Sequence, residues 1–180
     1  MMKSVLIQKG FKTEFGHKPK PKVTKDDDVL IKVHSVPINP SDIYLTKGMW
    51  GFELPPSYTP GWEGAGEVVD AGKNAKSLIG KRVAFGIKLE NGGSWCEYVL
   101  TSKSVVIPLH DDVELEVGAS SFVNPLTAIA MVDRLKELKV KTVIITACAS
   151  QLGRMVIKIC KKEGIKTIGT VRRAEQVKVV

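Results

Sequence analysis

The turn from Cys148 to Arg154, CASQLGR, carries residue types and spacing suited to an anion. It follows a β-branched, nearly all-apolar run, Thr142 to Ala147, and precedes a helical pattern opening at Leu152. A strand there hands over to a helix. Backbone N–H groups and a helix N-terminus then face the same point, which is how a dinucleotide pyrophosphate is held. Laid on the spacing G-x-G-x-x-G, the glycine positions hold Cys148, Ser150 and Gly153, so only the glycine needed for close helix–strand packing is kept. Taken alone, the turn leaves nucleotide binding and a plain structural crossover equally open.

Arginines beside the turn narrow the choice. Arg154 falls in the first helical turn, where a cation opposes the macrodipole unless an anion is bound nearby or the side chain reaches into solvent. Arg172 and Arg173 come about twenty residues past the turn, where an NAD site carries an acid for the ribose hydroxyls. Arginine at that point suits a 2'-phosphate, and hence NADP.

The elements that must position these groups follow from periodicity. Leu152, Met155, Val156, Ile159 and Cys160 repeat on one helical face, with Lys158, Lys161 and Lys162 outside and Gly164 as the stop. Lys166 to Val171 is apolar enough for a second strand, which completes a right-handed βαβ unit. Upstream, the chain reads as short strands separated by glycine turns: Ser4–Gln8, Asp28–Val36, Glu67–Asp70, Val83–Phe85, Trp95–Thr101 and Ser104–Ile107. Such strands make a small, partly open barrel. Ser41 and Asp42 can cap a short helix from Ile43 to Lys47. A helix over Val113–Phe122 is expected, then another with Asn124 as N-cap and Pro125 as its first residue. The expected organisation is a β domain over 1–124 and the N-terminal part of an NADP-binding domain over 125–180.

Composition excludes several classes. An apolar share of 43% with 26% charged residues is that of an ordinary globular chain. No stretch approaches membrane-spanning length. Cys96, Cys148 and Cys160 are scattered without C-x-x-C spacing, so neither disulfides nor a zinc knuckle are indicated. A reducing compartment is expected, the cytoplasm by default with the mitochondrion as alternative. The net charge of +8 is spread along the chain, and its densest cluster, His17 to Lys25, has two prolines and no aromatic for base stacking. It reads as a solvated loop, and nucleic acid is not an expected partner.

The segments INPSD (Ile38–Asp42), KGMWG (Lys47–Gly51), PGWEGAGEVV (Pro60–Val69), LIGKRVAF (Leu78–Phe85), GGSWCEYV (Gly92–Val99), VNPLTA (Val123–Ala128) and ACASQLGRM with VRR occur in one order along the chain. Together they resemble the medium-chain dehydrogenase/reductase superfamily, specifically its zinc-free quinone and enoyl-thioester reductase branch. That resemblance implies a GroES-like, partly open β-barrel followed by a Rossmann domain. It implies NADPH bound by Ser150, Gln151, Leu152, Gly153, Arg154, Thr170, Arg172 and Arg173, with Asn39 and Thr127 at the nicotinamide end. The implied reaction is hydride transfer to a quinone or an α,β-unsaturated carbonyl, with Asn39, Tyr44, Trp50 and Asn124 as candidate catalytic positions.

The sequence departs from that pattern in informative ways. Zinc-using relatives carry cysteine at Asn39 and His-Glu at Trp62-Glu63; without thiolate or imidazole no tetrahedral site is assembled, and no metal is expected. Glu63 is then expected to receive backbone hydrogen bonds at the glycine-rich turn. Trp50 stands where the enoyl-thioester branch has a tyrosine, and an indole N–H donates a hydrogen bond but no proton near neutral pH. Tyr44 is either a substitute donor or a packed tyrosine, and Asn124 either orients substrate or caps a helix. A Rossmann domain has about six strands, whereas this chain reaches Val180 after one βαβ unit. A C-terminally truncated relative, associating with itself or with a complementing chain, is therefore the second reading.

Overall fold

The computed structural model describes residues 1–51 and 53–180. Met1–Phe122 and Val123–Val180 form separate compact units.

In the first unit, β1 (Met2–Ile7) and β2 (Thr13–Lys18) make an antiparallel hairpin, Met2 opposite Lys18 and Ile7 opposite Thr13. A five-stranded antiparallel sheet holds β3 (Asp28–Ser35), β4 (Glu63–Ala71), β5 (Arg82–Gly86), β6 (Tyr98–Ser102) and β7 (Val106–Pro108) in the order β6-β3-β4-β5-β7. Its end strands β6 and β7 do not pair with each other among the described residues, so the barrel is open. The period-2 pattern of β3 works as expected: Val29 and Ile31 are fully buried against Val68, Val83, Phe85 and Val99, while Lys32 faces out. Burying Phe85 alone is worth about 2 to 3 kcal/mol.

Several boundaries differ from the sequence reading. β2 has no counterpart there, because most of its residues are exposed, Phe15 among them, and no alternation marks the strand. β4 begins at Glu63, four residues before its clearly β-rich part, since the small residues Gly64, Ala65 and Gly66 let β3 approach; a Cβ on Gly66 would meet the carbonyl carbon of Lys32 at 3.0 Å. Lys103–Val105 is a 3-10 turn, which leaves only Val106–Pro108 as strand. The helix expected over 113–122 is the short α2 (Leu115–Gly118), because the Ser120 and Ser121 hydroxyls both donate to the Val117 carbonyl and end the turn.

α1 (Pro40–Thr46) starts earlier than the Ile43 expected. Pro40 is its first residue, where a fixed φ and a missing N–H cost nothing. Asn39 is the N-cap, and Asp42 sits inside the first turn, its carboxylate accepting the Asn39 backbone N–H at 2.6 Å.

In the second unit, α3 (Val123–Glu137) leads to β8 (Thr142–Ile145), α4 (Gln151–Lys162) and β9 (Lys166–Gly169). β8 and β9 are parallel, with Thr142 beside Lys166 and Ile145 beside Gly169. Ala128 and Val132 of α3 pack with Ile145, Cys148, Val156, Cys160 and Ile165. α3 already includes Asn124, so Asn124 is not its N-cap, and Pro125 lies in the first turn, where a missing N–H is tolerated. α4 is capped by Glu163 and followed by Gly164, whose φ of +71° is left-handed. Beyond β9, Ala174–Val179 is a 3-10 run.

Candidate functional site

In the first unit the candidate residues gather around the start of α1. Asn39 and Glu63 are buried, and the Asn39 side-chain amide donates to Glu63 Oε1 at 2.9 Å. Glu63 Oε2 accepts the backbone N–H of Phe122 at 3.0 Å. Glu63 thus ties the first residue of β4 to the α1 cap and to the last residue of its unit. It receives a backbone hydrogen bond, as expected of it, from a distant amide, and a second bond from a side chain. Asp42, fully buried, holds the other end of Asn39. Its Oδ1 and the buried indole nitrogen of Trp62 have no hydrogen-bond partner among the described residues. Burial pushes the Asp42 carboxyl up to about 6; the Asn39 amide opposes this, the charge of Glu63 adds to it, and the Trp62 amide opposes it. Asp42 is the residue that sequence reasoning undervalued, and its signal was the N-x-x-D spacing of a capping box at the start of a helix.

The other candidates on this unit are placed unequally. Trp50 donates its indole N–H to the Ser41 carbonyl at 3.0 Å and stands edge-on to Trp62 at 6.5 Å. A substrate acceptor would therefore have to displace Ser41 to use that donor. Tyr44 is 48% exposed and is not a core tyrosine. His34, expected on a strand face, lies at the exposed end of β3, 3.8 Å from Glu116. Cys96 is no nucleophile: burial pushes its thiol up to about 11. Among the described residues no three His, Cys, Asp or Glu side chains come together as a metal set.

In the second unit the anion turn is built as its sequence requires. Ala147 takes a left-handed φ of +49° and the chain reverses there. Ser150 is the α4 N-cap, its Oγ accepting the Gly153 N–H at 3.0 Å, which leaves the amides of Gln151 and Leu152 as first-turn donors. Gly153 has no room for a side chain: a Cβ would sit 2.6 Å from the Cys148 carbonyl oxygen and 2.7 Å from its Cα. Arg154 reaches back along the helix to Gln151 Oε1 at 2.6 Å. Thr170 joins the turn through its backbone, accepting the Cys148 N–H at 3.2 Å and donating to Ile145 at 2.9 Å. Arg172 and Arg173 are exposed, their backbone amides both held by Gln176 Oε1 at 3.2 Å. Neither guanidinium is in an ion pair among the described residues. The amides, the cap and the two uncommitted cations fit a phosphorylated nucleotide. Thr127 spends its hydroxyl hydrogen on the Val123 carbonyl at 2.7 Å, so toward a ligand it is an acceptor.

The family model for the alcohol dehydrogenase GroES-like domain matches residues 25–111. A solved protein from Mesorhizobium loti assigned as an NADPH:quinone reductase is 41% identical, with a TM-score of 0.87 over 99% of this chain and 56% of its own. These matches indicate the medium-chain dehydrogenase/reductase superfamily. Its relatives are those of the zinc-free branch. The human mitochondrial enoyl-[acyl-carrier-protein] reductase is 36% identical over 152 residues, 82% of this chain and 40% of that enzyme. A mycobacterial structure complexed with NADPH is 27% identical, with a TM-score of 0.84 over 99% of this chain and 55% of its own. The chain thus spans about two fifths of the curated superfamily members it matches. Its architecture is the GroES-like open barrel followed by the first part of a Rossmann arrangement. No helix among the described residues is long and apolar enough to cross a membrane.

Proposed function

We propose that the chain serves an NADPH-dependent oxidoreductase that transfers hydride to a quinone or an α,β-unsaturated carbonyl. The observation that carries this reading is the α4 turn, where Ser150 caps the helix, Gly153 closes it onto Cys148, and Arg172 and Arg173 follow β9 without a carboxylate partner among the described residues. NADPH, when bound, supplies the hydride. The Gln151 and Leu152 amides and the α4 N-terminus hold the pyrophosphate, and the paired arginines take the 2'-phosphate. Asn39, fixed at both ends by Asp42 and Glu63, and Thr127 serve the nicotinamide end. With the Trp50 N–H committed to Ser41, the exposed Tyr44 is the phenolic donor on α1, and solvent supplies the proton where Tyr44 does not. Asn124 orients the acceptor. Likeness to an NADPH-complexed mycobacterial enzyme supports the choice of nucleotide. The test is a titration of NADPH and NADH by nicotinamide fluorescence alongside NADPH oxidation with a quinone or enone. Tighter NADPH binding is expected, and equal affinities would overturn the assignment.

A second reading has its own observation. β8 and β9 each have a single strand neighbour among the described residues, and Ile144 and Ile168 are 65% and 48% exposed. Such a face favours association, so the chain also reads as a subunit that pairs with itself or with a complementing chain, with little turnover of its own. Sedimentation of wild type against an Ile144→Lys, Ile168→Lys variant tests this. Monomeric wild type with ordinary enzymatic turnover would exclude it.

A further inference from the structure

β2 has one strand neighbour, β1, and its other side is a free edge among the described residues. The register fixes which backbone groups lie on that edge. Lys3, Val5 and Ile7 of β1 stand opposite His17, Phe15 and Thr13. They turn away from β2: the Lys3 carbonyl accepts the Glu97 N–H, and the Val5 and Ile7 N–H groups donate to Trp95 and Tyr58. Antiparallel partners alternate between bonded and non-bonded pairs, so Thr13, Phe15 and His17 direct their own N–H and C=O groups outward. No backbone bond outside the hairpin meets them among the described residues. Edge strands are ordinarily guarded by charge, proline or a bulge. Here the middle of the edge carries Phe15, 67% exposed, its ring edge-on to His17 at 5.8 Å, and the register runs without a bulge.

An outward row of N–H and C=O groups takes a further strand, and the residues of β2 complement β2 itself. Paired antiparallel with a second copy about Gly16, β2 sets Phe15 opposite the other copy's His17, both outward, so a bonded pair forms on each side of the axis. The two aromatic rings then face each other across the strands. Glu14 stands opposite the other copy's Lys18 in a non-bonded pair, where side chains come closest. Glu14 gives one oxygen to Gln8 at 2.8 Å, and Lys18 spends one ammonium hydrogen on Thr59 at 3.4 Å, which leaves each with capacity for the other. On the axis Gly16 meets Gly16, with no Cβ in the way. Centring the pair on Phe15 would instead set Lys18 against Lys12, like charge against like. We propose that two copies of this chain pair through their β2 edges, antiparallel and centred on Gly16, extending each hairpin into one four-stranded sheet. A strand of six residues buries less than a stable dimer needs, so the association is weak and depends on concentration. The edge shares no residue with β8, β9 or the α4 turn, so it holds or fails independently of the reductase reading and of association through the second unit.

Amide hydrogen exchange of the full chain, read by NMR at rising protein concentration, tests this beside sedimentation equilibrium. The Phe15 and His17 amides should exchange freely in dilute solution and become protected several-fold as concentration rises. Glu14→Lys sets lysine opposite Lys18, and Lys18→Glu sets glutamate opposite Glu14. Each should weaken pairing about tenfold, since the contact repeats on both sides of the axis, and the double swap should restore it. The same pattern should persist in an Ile144→Lys, Ile168→Lys background, which removes the apolar face of the second unit. Exchange of the Phe15 and His17 amides that stays independent of concentration up to the solubility limit overturns the proposal. So does association that ignores the charge reversals or vanishes in that background. The wild-type exchange series decides the matter even where a variant fails to fold.

Discussion

Asn39 donates its side-chain amide to Glu63 across 2.9 Å, both residues being buried. Asn39 Nδ2 donates to one oxygen of that carboxylate and the Phe122 N–H to the other. Removing it strands both away from water. Glu63→Ala should therefore cost about 3 kcal/mol, since an orphaned buried group loses about 1 to 3 kcal/mol. Glu63→Gln keeps one acceptor oxygen and should cost less, about 1 to 2 kcal/mol. Urea unfolding of the three proteins checks the order, and a Glu63→Ala variant as stable as wild type would contradict it.

Asp42 gives a pH dependence of definite sign. Its folded-state value of about 6 lies above the ordinary 3.8, so between the two the folded chain binds more protons than the unfolded one. Its contribution is present at low pH, is lost as pH rises from about 4 to 6, and stays lost above. The size is on the order of 3 kcal/mol. Asp28 works the other way: burial opposes its ionisation, but the Thr24 and Lys25 amides and the Thr24 hydroxyl outweigh that and hold its carboxyl low. Comparing Asp42→Asn with wild type cancels Asp28. The variant keeps an oxygen for the Asn39 N–H, and its stability advantage should grow from near zero at pH 4 to a few kcal/mol at pH 8. A difference independent of pH would refute the assignment.

The legible parts of this molecule are those whose signal is local. The βαβ unit was readable because α4 repeats its apolar face and Gly164 stops it, and the Ser150 cap lies three residues before the amide it serves. β3 was readable from alternation alone. β2 was not, because an exposed hairpin strand needs no alternation. The roles of Glu63 and Asp42 were hidden for a different reason. Glu63 meets Phe122 across fifty-nine residues, and no local pattern encodes such a pairing. The Trp50 indole was expected to be a donor, but only the fold shows Ser41 as its acceptor.

Gly153 tests whether the turn is built around close approach. An alanine there would put its Cβ 2.6 Å from the Cys148 carbonyl oxygen, against backbone that cannot step aside. Gly153→Ala should destabilise the second unit by about 1 to 3 kcal/mol despite the better helix propensity of alanine. Ala147→Gly should do the reverse, relieving a left-handed alanine and stabilising by about 1 kcal/mol. Hydrogen exchange of α4 and β9 amides separates the two: faster exchange is expected in the first variant and slower or unchanged exchange in the second. A Gly153→Ala chain with wild-type protection would mean that helix and turn have slack the geometry does not allow.

Arg172 and Arg173 carry the choice of nucleotide, and their surroundings make the prediction sharp. Their backbone amides are fixed by Gln176, while their guanidinium groups meet no carboxylate among the described residues. A 2'-phosphate would find two cations already positioned and uncompensated. Charge-assisted contacts of this kind contribute about 1.5 to 3 kcal/mol each. Replacing either arginine by alanine should weaken NADPH by about tenfold or more and leave NADH nearly unchanged, because NADH has no group at that place. The double variant should bind the two nucleotides alike. Raising the salt concentration should narrow the wild-type difference in the same direction, since both side chains are exposed and screened. Nicotinamide fluorescence titrations at low and high salt check each statement. If the double variant kept its preference for NADPH, the 2'-phosphate would have to be held elsewhere, and Arg154, tied to Gln151 in the α4 first turn, would be the next residue to replace.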